Sequence, residues 1–170
     1  MTGATFAGLA WTAEHVGAFL VAFSGSVAMW AVYFNIGAER ASRLIAGSDD
    51  PGRLGRSGYT YIHILIVAGI IAAAVADELV LHHPGGPSDV KTDIVLIAGP
   101  GIYLLGNALF KRLSAPYFPL SHSAGLAMLA LLVPAAAIAT PLIVSAATTA
   151  VLIAITVWEW ISLRPHRDTR

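Results

Sequence analysis

Apolar residues along this chain come in long blocks separated by short polar interludes. Five blocks, at residues 16–36, 59–81, 92–110, 120–139 and 141–163, each approach the roughly 20 mostly apolar residues that a helix needs to cross a bilayer core. Isolated Gly and Pro inside them do not disqualify a spanning helix. The pattern predicts an all-α integral membrane protein, a five-transmembrane-helix bundle forming one helical membrane domain over residues 1–170. The near absence of a connection at Thr140–Pro141 predicts an antiparallel hairpin of the last two helices. Ahead of the first block, MTGATFAGLAWTAEH carries no Lys or Arg, so the basic region of a secretory signal peptide is missing. The apolar piece at 4–11 is too short to span; it reads as an interfacial helix, with Trp11 at headgroup depth and Thr12 opening the first spanning helix. That first helix is expected to continue through GAERASRLIA as far as the break at SDDPG.

Composition supports the same class. Hydrophobic residues make up 56% of the chain and charged residues 12%, with mean hydropathy +0.72; soluble domains carry about 25% charge. A disordered chain and an ordinary soluble domain are both excluded. Cysteine is absent, which removes disulfides, thiolate metal sites and cysteine nucleophiles. Ten basic residues balance ten acidic ones, so no charge draws the chain to nucleic acid. The distribution of the basic residues is informative. Arg40, Arg43, Arg53 and Arg56 follow the first block, Lys111 and Arg112 the third, and Arg164, Arg167 and Arg170 the fifth. With alternating helices, nine of the ten fall on one side and only Lys91 on the other. The positive-inside rule then places the N-terminus outside and the C-terminus in the cytoplasm.

Ionisable groups at membrane depth are costly and mark candidate sites. They sort into two layers. The cytoplasmic layer holds Tyr33, Asn35 and Arg40 from the first helix, Tyr59, Tyr61 and His63 from the second, Asn107 from the third, His122 from the fourth and Glu159 from the fifth. The outer layer holds Glu14, His15, Asp77, Glu78, His82, His83 and Asp93. At 100° per residue, Tyr59, His63, Ile70, Asp77 and Leu81 fall within about 40° of one another, as do His15, Ser26, Tyr33 and Arg40. Two helices with polar stripes should turn them together, since lipid solvates neither. A polar seam between helices one and two is the expectation, with Glu78 and His82 as an i,i+4 pair beside it. Plainer accounts apply to several residues. His82, His83 and Asp89 sit in or beside the loop HHPGGPSD, where water solvates them, and the arginines suffice as topology signals and lipid-headgroup contacts. Glu159, between two tryptophans, has room to snorkel to the surface. In the third helix, Pro100 permits a kink, while Gly99, Tyr103 and Gly106 line one face on which a neighbouring helix can approach closely.

The runs WAVYFN at 30–35 followed by Arg40, YTYIH at 59–63, DELVLHHP at 77–84, GPGIYLLGNALFKR at 99–112 and VWEW at 157–160 resemble the bacterial low-temperature-requirement A (LtrA) family of membrane proteins. The resemblance covers residues 25–163 and lies with the C-terminal half of longer members. This chain has Asn35 where the family pattern carries an Asp. Carried over by position, the resemblance implies roles for Arg40, Tyr61, His63, Glu78, His83 and Glu159; the family's name records a growth phenotype in the cold rather than a reaction.

Three functions fit these residues. The first is a membrane unit that binds or translocates a small hydrophobic or amphipathic ligand in the seam, with Tyr33, Arg40, Tyr59, Tyr61, His63, Asn107 and Glu159 as ligand-binding candidates and a homodimer restoring the helix number of longer relatives. The second is an embedded enzyme of cyclase or isomerase type, with His63, Glu78 and Asp77 as acid–base groups. The third is a structural or lipid-sensing component whose partners are membrane lipids. No nucleophile elbow, P-loop or His-Glu-x-x-His helix is present. No cofactor or metal is expected, because the six histidines show no ligand spacing and no C-x-x-C-H motif occurs.

Overall fold

In a computed structural model the described residues are 2–34, 52, 60–113 and 118–162. They form six helices: α1 (Thr2–Ala7), α2 (Ala13–Phe34), α3 (His63–His82), α4 (Val90–Leu113), α5 (Leu120–Ala136) and α6 (Pro141–Ser162). Among the described residues, four segments are long and apolar enough to cross a membrane, namely Ala13–Phe34, Thr60–His82, Val90–Arg112 and Pro141–Ser162. The 17 residues of α5 reach roughly 26 Å at 1.5 Å per residue, a little short of a full crossing. The expected span at 120–139 therefore stops three residues early. Pro134 deprives the last turns of a donor, and the chain tightens into a turn in which Ile138 N–H donates to the Ala135 carbonyl.

Local chemistry sets the helix starts. The Thr12 hydroxyl accepts the His15 N–H at 3.3 Å, as its position before the first span predicts. Asp89 caps α4 by accepting the Thr92 N–H at 2.6 Å. Pro141 opens α6, where its missing N–H costs nothing. Before α3, residues 60–62 form a π turn. Short α1 folds back on the bundle, stacking Phe6 on Phe19 with ring centroids 4.5 Å apart.

Packing is uneven. Helices α3 and α4 share the most extensive interface, α2 packs chiefly on α6, and α2 touches α3 only sparingly. Glycine explains the first of these. A Cβ added at Gly69 would run into the backbone of Tyr103, and one at Gly99 would come within 2.8 Å of the Ala73 nitrogen. The α3 and α4 backbones thus lie against each other, on the face of α4 that the sequence marks with Gly99, Tyr103 and Gly106. Two apolar clusters fill the bundle lengthwise. One gathers Val32, Ile66, Leu104, Leu129 and Leu152; the other gathers Ala18, Val80, Leu81, Leu96 and Val144. The exterior is also apolar, with Phe23, Ile71, Leu131 and Ile161 each more than half exposed, a surface suited to acyl chains rather than water.

Candidate functional site

The bundle holds polar groups at two ends. At the first, Glu159 stands one turn from the end of α6. Its neighbours Trp158 and Trp160 are exposed, yet Glu159 itself is 6% exposed and turned inward, which replaces the snorkelling arrangement with an internal one. Lys111, in the last turn of α4, donates from Nζ to both carboxylate oxygens, at 2.8 and 2.6 Å. Ser121, at the start of α5, donates its hydroxyl proton to Glu159 Oε1 at 3.0 Å. His122 places Nδ1 3.2 Å from the same oxygen and 3.1 Å from Ser121 Oγ. Three helices are tied together through one carboxylate.

This network assigns the His122 tautomer. Ser121 has a single hydroxyl proton and gives it to Glu159, so Nδ1 must carry its own proton toward these oxygens. In the neutral imidazole Nε2 is then a bare acceptor. It is completely buried and has no hydrogen-bond partner among the described residues. Asn107, one turn before Lys111 and 1% exposed, donates to the Tyr103 carbonyl at 2.9 Å, and the Tyr103 hydroxyl donates to the Met29 carbonyl of α2.

Close by, Tyr33 of α2 and His63 of α3 are hydrogen bonded, hydroxyl oxygen to Nε2, at 2.8 Å. Phe110, the residue before Lys111, meets the His63 ring edge-on at 5.0 Å and lies nearly parallel to Tyr33 at 6.3 Å. The final turns of α4 therefore connect the Tyr33–His63 pair to the Lys111–Glu159 pair.

At the other end Asp77, half-buried, lines a cavity of about 20 Å³ with Ser26, Ser145, Thr148 and Thr149. The rest of the outer layer does not gather into one cluster. Glu14 lies against Gly85, where a Cβ would meet its carboxylate at 3.0 Å. His15 bonds the Thr12 hydroxyl at 2.7 Å. His82 and His83 are exposed, with rings 6.5 Å apart. Glu78 is half-buried, and it forms no ion pair with His82.

The two predicted stripes meet at Tyr33–His63, and Ser26 and Asp77 line one cavity between them. They meet across helices that pack little elsewhere. Tyr61 departs from the expectation: it is 70% exposed and stands apart from His63. Two residues before His63, it lies roughly 160° round the helix at 100° per residue, on the face away from the stripe that carries His63. Arg40, Tyr59 and Asn35 lie outside the described residues. Lys111 and Ser121 were not among the sequence candidates; the spacing of Asn107 and Lys111 by four on one helix face was the available signal.

A model of the family described as bacterial low temperature requirement A protein (LtrA) matches residues 1–157. The chain belongs to the LtrA family. An uncharacterized protein of Rhizobium meliloti (strain 1021) is 30% identical over 145 residues, which cover 85% of this chain and 36% of that relative. The chain thus spans about a third of the relative's length. No solved structure matches. The LtrA match begins at residue 1, ahead of the stretch from residue 25 carried by the recognisable motifs, so α1 and the start of α2 belong to it. Tyr33, His63, Asp77, Lys111, Ser121 and His122 all lie within it, and Glu159 lies two residues beyond.

Proposed function

We propose that this LtrA-family chain is a multi-pass protein of the bacterial cytoplasmic membrane that binds a small or amphipathic ligand in the seam between α2 and α3, as the binding step of a translocating role. In this reading α5 completes a fifth, short crossing, and the basic residues hold the Glu159 end at the cytoplasm. The observation that carries the proposal is the Tyr33–His63 hydrogen bond. It joins two helices that otherwise barely pack, so a ligand replacing that bond displaces little apolar contact. A phenol and an imidazole backed by the Phe110 ring offer donor, acceptor and aromatic face together, which suits an amphipathic molecule. The fixed Lys111–Glu159–His122 network beside them holds the helix ends in register and keeps its charges for itself.

The test compares small molecules extracted from the wild type and from the Y33F/H63F double variant, both purified in native lipid nanodiscs. Loss of a ligand hydrogen bond of about 1.4 kcal/mol makes one species on the order of tenfold more abundant in the wild type. Identical extracts from the two proteins overturn the proposal.

A further inference from the structure

Pro100 has no N–H, so the carbonyl four residues earlier, on Leu96, loses its helical donor. Both residues line the 20 Å³ cavity, which four helices enclose. Asp77 comes from α3, and Ser145, Thr148 and Thr149 come from α6. From α2 comes Ser26, which is exposed and marks the open side. Thr148 gives its hydroxyl proton to the Ser145 carbonyl at 3.0 Å, so what remains on that oxygen is lone pairs. No side-chain nitrogen lines the cavity; apart from the Met29 thioether, its side-chain heteroatoms are oxygens. One of them belongs to a carboxylate that has neither an ion pair nor a hydrogen bond among the described residues.

Size and charge together specify an occupant. About 20 Å³ holds one water-sized species, so a hydrated ion is excluded and a bare one fits. An ionised carboxylate at membrane depth is stabilised by positive charge beside it, and one carboxylate among neutral oxygens balances a single positive charge. A divalent ion would leave the site net positive inside lipid, and soft metals select nitrogen or sulfur. Backbone carbonyls left without their helical donors are among the groups with which membrane transporters hold coupling ions, and Pro100 leaves one such carbonyl within an otherwise continuous helix.

We infer that Asp77 and the hydroxyls of Ser145, Thr148 and Thr149 form a binding site for one dehydrated monovalent cation of sodium size, beside the Pro100 step of α4. The site is separate from the Tyr33–His63 pair and does not depend on what binds there.

The experiment uses the full chain in nanodiscs, with the tryptophans as fluorescent reporters of unfolding and with NaCl, KCl or choline chloride at one ionic strength. Wild type shows a saturable rise in Tm of roughly 5 °C in NaCl over choline chloride, and retains ²²Na⁺ in proportion to protein. D77N loses both effects. S145A, which keeps the charge and removes one oxygen, needs several-fold more NaCl for the same shift, and this variant decides the matter if D77N does not fold. Equal Tm values for wild type in all three salts overturn the inference. So does a sodium shift that survives in D77N, or one unaccompanied by bound ²²Na⁺.

Discussion

Two carboxylates within the apolar helices, Glu159 and Asp77, are accommodated in opposite ways. Glu159 is enclosed and answered from within the chain: Lys111 supplies the countercharge, and Ser121 and His122 take up the remaining acceptor capacity. Asp77 is half-buried beside empty space and has no partner among the described residues. A charge whose partner is covalently part of the fold is a brace. A charge left beside room for one small species depends on what the surroundings supply. The contrast shows that depth in the membrane does not decide what a carboxylate does; the donors around it do.

The sharpest test of this contrast replaces each carboxylate by its amide in sodium-free buffer. E159Q removes the carboxylate that both Lys111 hydrogen bonds reach, and should destabilise by about 3 kcal/mol, while K111M/E159Q recovers most of that loss because the buried ammonium goes with it. D77N, having no partner to strand, should change stability by under about 1 kcal/mol. Denaturant titration of the purified proteins measures all three; an E159Q no weaker than D77N would erase the distinction between the two ends. An intermediate effect, about 1–3 kcal/mol, is expected for G69A, whose methyl group has no space against the Tyr103 backbone. G86A, with open space at its Cβ, is the silent control.

The smallest effect concerns a carboxylate outside the membrane. The Thr92 N–H and hydroxyl hold the Asp89 carboxyl below its ordinary range. A lowered folded value means the ionised cap stabilises the fold above the unfolded carboxylate range near pH 4, and this contribution fades as pH falls through the lowered value. D89N retains the cap geometry without the charge. The Tm difference between wild type and D89N should be present at pH 7 and vanish toward acid, and a difference constant with pH would show that ionisation plays no part.

Much of this architecture is legible in the residues. The apolar blocks locate α2, α3, α4 and α6 to within a few residues. The small-residue face of α4 announces its close neighbour, and the stripes through Ser26 and Tyr33, and through His63 and Asp77, mark the Tyr33–His63 bond and the cavity between α2 and α3. Periodicity says which face of a helix is polar, however, and not which helix that face will meet. Lys111 escaped notice because hydropathy ends the third block at Phe110 while backbone hydrogen bonding carries α4 on to Leu113, folding a lysine that reads as a topology signal into the bundle. Ser121 and His122 gain their meaning only when α5 is set against α6. Tyr61 is a case where residue type misleads and spacing does not: two residues before His63, it falls roughly 160° away from the polar stripe, and it is exposed.

Backbone pressed on backbone at Gly69 and Gly99 leaves no deformable layer of side chains between α3 and α4, so this pair behaves as one stiff beam. The joint between α2 and α3 is sparser, with the Tyr33–His63 bond and a gap farther along. A guest entering there would find one wall that cannot yield, since α3 has nothing soft behind it on the α4 side, and room for it would have to come from α2.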